Sequence, residues 1–274
     1  MSNETGRVRV PDFLKMKRRA QKITVLTAYD ATMARLFERA GIDALLVGDS
    51  LGMVVLGHET TLPVTLEAMI HHTSAVSRGT ERALVIADMP FLTYQVSVSD
   101  AVHNAGRLLK EGGAAAVKVE GGRPMVDVVR RLVDVGIPVM GHVGVQPQSV
   151  HKLGGYLKRG TVPQDGDAIL ADAEALEQAG VFAVVLESIS AELARTITAR
   201  LSVPTIGIGA GPDCDGQVLV SYDMLGLFDH TPSFVKVYAR LGEEIVTATE
   251  AYIDDVRAGR YPTAPAKAVG GRTT

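Results

Sequence analysis

Eight short apolar runs, each followed by a turn, constrain this chain more than any other feature. They are Ile23–Ala28, Ala44–Gly48, Ala83–Asp88, Ala115–Glu120, Pro138–Val143, Phe182–Glu187, Pro204–Gly209 and Gln217–Ser221. Unbroken runs of Val, Ile and Ala suit strands covered on both faces, the condition of a parallel sheet. Between most of them, apolar residues recur at helix spacing, as in Leu66, Met69, Ile70, Thr73 and Val76, or Ala101, Ala105, Leu108 and Leu109. Gly41, Gly112, Gly136 and Gly180 stand where left-handed helix caps belong. Eight strand–helix units predict an α/β fold, the (β/α)8 TIM barrel, as a single domain. A doubly wound open sheet is the alternative, although that fold usually needs fewer units. Ala210–Gly216 is too short for a crossover helix and predicts an irregular corner between strands seven and eight.

Two long segments, Ser50–Pro63 after strand two and Gly144–Pro163 after strand five, are expected to be functional loops. Val10–Gln21 reads as a short N-terminal helix able to plug the barrel floor. Residues 1–258 are expected to form the catalytic barrel, and the Pro-, Gly- and Thr-rich stretch Gly259–Thr274 a flexible C-terminal tail. With 28 basic and 31 acidic residues, the balance gives no support to a nucleic-acid-binding surface. Cys214 is the single cysteine, which excludes an intrachain disulfide and a zinc–cysteine cluster. No apolar run approaches the roughly 18 residues that span a bilayer, and the first residues lack the pattern of a secretory signal. The expectation is a cytoplasmic protein without nucleic-acid or membrane partners.

Five consecutive strands end in a titratable side chain: Asp49, Asp88, Glu120, His142 and Glu187. A single acid there is as readily a helix N-cap. Five in order, none followed by an obvious helix, point instead to an active site where the strands of a barrel end. Lys118 lies two residues before Glu120 and so shares its face, while Val117 and Val119 take the other. A buried ammonium requires nearby negative charge; the bland alternative is an internal ion pair that only neutralises the core. Three crowded carboxylates, Asp49, Asp88 and Glu120, stay ionised most easily around a hard cation, and Mg²⁺ suits an all-oxygen set. Such a centre can take the carboxylate and ketone of a 2-oxo acid. Glu187, across the ring, could then remove the proton beside the ketone. The glycine run Gly207–Gly211 is read as a tight turn rather than a phosphate loop. His58, His71, His72, His103, His151 and Cys214 are given no catalytic role.

With those residues in view, the chain resembles the ketopantoate hydroxymethyltransferase family. The resemblance rests on TAYD (Thr27–Asp30), VGDSLGMVVLGHETTLPVTLEAM (Val47–Met69), ADMPF (Ala87–Phe91), VKVEGG (Val117–Gly122), GHVGVQPQSV (Gly141–Val150), LES (Leu186–Ser188) and GIGAGPDCDGQVLV (Gly207–Val220). It implies a (β/α)8 barrel that transfers a one-carbon unit from 5,10-methylenetetrahydrofolate to 3-methyl-2-oxobutanoate, giving 2-dehydropantoate for pantothenate and coenzyme A. It also implies a Mg²⁺ site at Asp49, Asp88 and Glu120, direct or through water. Substrate contacts are implied at Asp49, Ser50, Asp88 and Lys118, with His142 in the site and Glu187 as proton acceptor. Cytoplasmic homo-oligomers, typically decamers, are implied as well. Two competing readings stay open: a related Mg-dependent 2-oxo acid lyase or mutase, and a non-catalytic 2-oxo acid binding protein. Lys152, Lys158 and Arg159 are candidates for the folate's glutamate tail, against a plain solvated loop.

Overall fold

The computed structural model describes residues 6–263. Eight parallel strands close into a barrel in sequence order. They are β1 (Ile23–Thr27), β2 (Ala44–Val47), β3 (Leu84–Asp88), β4 (Ala116–Glu120), β5 (Val139–Gly144), β6 (Ala183–Glu187), β7 (Thr205–Ile208) and β8 (Gly216–Leu219). Each expected run therefore becomes a strand whose ends differ by a residue or two; most are trimmed, while β5 gains Gly144 and β8 gains Gly216. Around them run α1 (Val10–Arg18), α2 (Ala31–Arg39), α3 (Leu51–Val54), α4 (Leu66–Arg78), α5 (Val98–Lys110), α6 (Val126–Asp134), α7 (Val150–Leu153), α8 (Pro163–Gln178) and α9 (Ala191–Arg200). No helix separates β7 from β8, as the seven-residue connection requires.

Local chemistry explains where the helices begin. Asp30 accepts from the backbone N–H groups of Thr32 and Met33, and Thr65, Ser97 and Ser190 cap α4, α5 and α9 in the same manner. Gly41, Gly136 and Gly180 do adopt positive φ, at 89°, 87° and 97°. In the Gly112–Gly113 pair the second residue takes that conformation, so the expected cap shifts by one position.

The barrel interior is apolar at the end where the strands start. Val8, Phe13, Ile23, Val25, Ala44, Leu46, Leu84, Ile86, Ala116, Met140, Ala183, Val185, Ile206 and Val218 form one buried cluster. Phe13 of α1 is fully buried there and meets Phe182 edge-to-face at 5.5 Å. The N-terminal helix thus closes the floor, although it ends at Arg18, before a turn in which Ala20 has φ 52°.

The long segments after β2 and β5 are not wholly irregular. They contain α3 and, in the second, a 3₁₀ turn (Pro147–Ser149) and α7. A four-residue helix is too short to leave a periodic apolar signature, which is why the sequence shows only a loop. Chain contacts divide the protein into two compact units, up to Ser221 and from Tyr222 onward. The second contains a helix, Leu241–Arg257, on which no residue is buried. The expected C-terminal tail lies mostly outside the described residues, and among those described no helix is long and apolar enough to cross a membrane.

Candidate active site

Strand register sets the site out. Asp88 lies beside Lys118 across β3 and β4, Glu120 beside His142 across β4 and β5, and Gly144 beside Glu187 across β5 and β6. Each step round the barrel therefore hands one candidate to the next at the ends of the strands. Gly144, with φ 100°, is required at its position: a Cβ there would meet the Glu187 carbonyl at 2.2 Å. Ser188, just past Glu187, holds a left-handed φ of 48° and donates its N–H to the Ile208 carbonyl. The backbone around Glu187 is fixed further by Val145, whose N–H donates to the Glu187 carbonyl at 2.9 Å.

None of the five strand-end side chains caps a helix. Asp49, Asp88, Lys118, Glu120 and His142 are buried, and Glu187 keeps about a fifth of its side chain exposed. Lys118 Nζ lies 3.1 Å from Asp88 Oδ1 and 3.3 Å from His142 Nδ1. The other ring nitrogen of His142 lies 3.1 Å from Glu187 Oε2, off the axis of a full hydrogen bond. An ammonium can only donate, so Nδ1 must accept and the ring proton belongs on Nε2, facing Glu187. Asp88, Lys118, His142 and Glu187 thus form one polar line across four strands. Burial and the Lys118 charge lower the His142 pKa, and Glu187 offsets this only in part, so the ring is neutral.

The acids behave as crowded carboxylates in a dry place. Burial and the neighbouring Asp88 push Asp49 up to about 7, against Lys118 and a hydrogen bond from Gln148. Glu120 is raised well above the usual range, first by burial and then by Asp49 and Glu187, with Lys118 opposing. Burial disfavours the charge on Lys118, but Asp88, Asp49 and Glu120 outweigh it and raise its pKa. An excess of buried acid over base is the electrostatic signature of a cation site.

The donor set fits a hard divalent ion. Asp88 Oδ1 is buried and receives no aligned hydrogen bond, and every candidate ligand is a carboxylate oxygen. One oxygen of each acid is engaged by the protein: Asp88 Oδ2 accepts the Asp49 N–H at 3.1 Å, Asp49 Oδ2 accepts from Gln148 Nε2 at 2.8 Å, and Glu120 Oε1 accepts the Gln148 N–H at 2.9 Å. Among the described residues, no three His, Cys, Asp or Glu side chains converge as a ready-made cage. Protein ligands would then supply only part of a coordination shell, leaving the rest to water or substrate.

Ser50 lies beside the acids with its hydroxyl 2.9 Å from the Tyr29 hydroxyl. Gln148 and Tyr94 are residues that sequence reasoning missed. Both are buried, and the Tyr94 hydroxyl lies 2.7 Å from Gln148 Oε1 and 3.0 Å from the Glu120 carbonyl. Tyr94 leaves no periodic or motif signal, and Gln148 falls inside the GHVGVQPQSV segment without a role attached to it there. On that loop Arg159 is engaged with Asp165, while Lys152 and Lys158 are exposed. Tyr156, half exposed, has its hydroxyl 3.9 Å from Met53 Sδ, and partial burial followed by the charges of Asp49, Glu187 and Glu120 raises its pKa. Cys214 is buried between β7 and β8, and its carbonyl accepts from Lys22 at the start of β1, the end remote from the acids. The Gly207–Gly211 run is the end of β7 followed by a bend rather than a turn throughout, and Gln217 Nε2 donates to the Gly211 carbonyl. A pocket of about 490 Å³ in the second unit is lined by Leu227, Phe228, Tyr238 and Arg240 and contains none of these candidates.

Several solved structures share this fold. A 2,3-dimethylmalate lyase of the PEP mutase/isocitrate lyase superfamily is 17% identical, with a TM-score of 0.59 over 94% of this chain and 91% of its own. A phosphonopyruvate hydrolase solved with oxalate and Mg²⁺ is 12% identical, with a TM-score of 0.63 over 95% of this chain and 92% of its own. At such identities the likeness concerns the fold alone. Sequence is more specific. The 3-methyl-2-oxobutanoate hydroxymethyltransferase of Moorella thermoacetica is 60% identical over 94% of this chain and 97% of its own. That of Pelobacter propionicus is 53% identical over 96% and 98%. The family model for ketopantoate hydroxymethyltransferase matches residues 7–264. Matched by that model over residues 7–264 and by such relatives over 94–96% of its length, the chain belongs to the ketopantoate hydroxymethyltransferase family.

Proposed function

We propose that the chain converts 3-methyl-2-oxobutanoate, 5,10-methylenetetrahydrofolate and water into 2-dehydropantoate and tetrahydrofolate. The observation that carries this reading is the polar line Asp88–Lys118–His142–Glu187, with Asp49 and Glu120 beside it. Family membership supports the substrate class, since relatives across nearly the whole chain bear the name 3-methyl-2-oxobutanoate hydroxymethyltransferase.

Asp49, Asp88 and Glu120 would hold Mg²⁺, directly or through water. Bound there, the ion acts as a Lewis acid that draws charge from the 2-oxo acid and makes its C3–H more acidic. Lys118 offers an ammonium to the substrate carboxylate, and its raised pKa keeps it charged. Ser50, held by Tyr29, offers a hydroxyl at the edge of the same acids. Glu187, the most accessible of the acids, is the base that removes the C3 proton. His142, neutral with its proton on Nε2, faces Glu187 Oε2 and steers the other carboxylate oxygen toward substrate. The C3 carbanion equivalent then forms a bond to the methylene carbon of the folate as both of that carbon's C–N bonds break in turn. Water supplies the hydroxyl, and the C3 proton and one proton of water go to the two nitrogens of the departing tetrahydrofolate. Exposed apolar residues on the helix Leu241–Arg257, among them Ile245, Val246, Tyr252 and Ile253, support a homo-oligomer; the decamer rests on the family resemblance alone. A cytoplasmic location fits the same chemistry.

Exchange of the C3 proton of 3-methyl-2-oxobutanoate into D₂O, with and without Mg²⁺ and folate, tests the reading. Exchange that needs Mg²⁺ but no folate, with product formed only when folate is added, is expected. Turnover without a one-carbon donor would favour a lyase. Cys214, the single cysteine, is buried with its pKa raised by burial and so is badly placed to act as an acid in either reading.

A further inference from the structure

Gln148 is a buried, uncharged residue that touches more of the acid cluster than any of the predicted ligands. Its side-chain Nε2 donates to Asp49 Oδ2 at 2.8 Å and to the Met89 carbonyl at 2.9 Å. Its Oε1 faces the Tyr94 hydroxyl at 2.7 Å and accepts from Gln95 Nε2 at 3.0 Å. Its main-chain N–H donates to Glu120 Oε1 at 2.9 Å. The Met89 main-chain carbonyl lies on one side of the amide and can only accept. The nitrogen must therefore point that way, which fixes the orientation without ambiguity.

Three consequences follow from that geometry. Asp49 follows β2, Met89 follows β3 and Glu120 ends β4, so one residue of the β5 loop ties together the ends of three other strands. One oxygen of Asp49 and one of Glu120 are already engaged, so the carboxylates present a chosen oxygen rather than a freely rotating pair. Finally, an amide does this without adding charge. A lysine in its place would orient Asp49 equally well but would cancel part of the negative charge that attracts a cation.

We infer that Gln148 is a positioning residue whose side-chain amide, braced by Tyr94, fixes which oxygen of Asp49 is offered to the divalent ion; this rests on the cation site advanced under Proposed function. Groups that orient a metal ligand without touching the ion typically account for about 10–100-fold in affinity. A packing role alone would lower the melting temperature and leave the affinity of the folded protein where it was.

The experiment is calorimetric titration of Mg²⁺ into substrate-free wild-type protein, Gln148→Met and Tyr94→Phe, each shown to be folded by its melting curve. Methionine keeps the length of the side chain and removes all four amide contacts, while the main-chain tether to Glu120 remains. Gln148→Met should bind Mg²⁺ about 10–100-fold more weakly, and Tyr94→Phe should move in the same direction by a smaller factor. Unchanged affinity in folded Gln148→Met overturns the inference; if that variant does not fold, unchanged affinity in Tyr94→Phe does so. Wild-type protein that takes up no Mg²⁺ overturns the cation site itself, an outcome separable from a variant that matches a wild type that binds.

Discussion

The two ends of the barrel interior are made from the same eight strands and are nearly opposite in chemistry. At the floor, Phe13, Ile23, Leu84, Ala116, Met140 and Ala183 pack without a charge among them. A few residues further along the same strands, Asp88, Lys118, Glu120, His142 and Glu187 crowd into the mouth, most of them as buried as the floor residues. Apolar packing at one end supplies the stability that lets like charges be held together at the other, where they are costly. Stability and chemistry are thereby separated along the strand direction, and each end should respond differently to the same kind of damage.

The largest effect is expected from Glu187→Gln. Folding and cation binding should persist, while C3 proton exchange falls by about 10²–10⁴-fold. Retained exchange in D₂O would remove Glu187 from the role of base. Phe13→Ala is the complementary test at the floor. It should cost about 3–5 kcal/mol through the cavity left behind. The melting temperature should drop by something on the order of 10 °C, with exchange per folded molecule unchanged. A folded Phe13→Ala protein with impaired exchange would show that the two ends are coupled.

Asp88→Ala should weaken Mg²⁺ by more than the roughly 10–100-fold typical of a partner that only orients a ligand. An unchanged titration would place the ion elsewhere. The smallest expected effect concerns pH. Asp49, ordinarily titrating near 3.8, is raised to about 7 in the cation-free fold. Between those values the folded state holds a proton that the unfolded chain has released. The group therefore favours the fold at low pH, and its contribution is lost as pH rises through about 7. Cation-free melting temperatures should include that decline, and Asp49→Asn should flatten it. An equally steep decline in the variant would assign it to another group.

The eight strands were legible because apolar runs covered on both faces leave a strong local signal, and all eight lie within a residue or two of expectation. Asp49, Asp88, Glu120, His142 and Glu187 were legible because the barrel topology converts the end of a strand into a place in space. Their encounter at the mouth follows from closure of the ring. The short helices α3 and α7 were not legible, since four residues carry no period. Gln148 was invisible for a different reason. It falls inside the GHVGVQPQSV segment, but its partners Asp49, Met89 and Tyr94 lie more than fifty residues away in sequence, so nothing local assigns it a role.

Sequence alone therefore determined the barrel, the sealed floor and the set of ionisable groups at the strand ends, because each depends on local periodicity or on chain order. Tertiary structure decided how those groups share protons and oxygens. It set the ring proton of His142 toward Glu187, raised Asp49 to about 7 and gave Gln148 its hold on the acids. The physical reason is that burial and hydrogen-bond geometry act over a few ångströms in space, and only closure of the barrel brings residues from distant parts of the chain within that range.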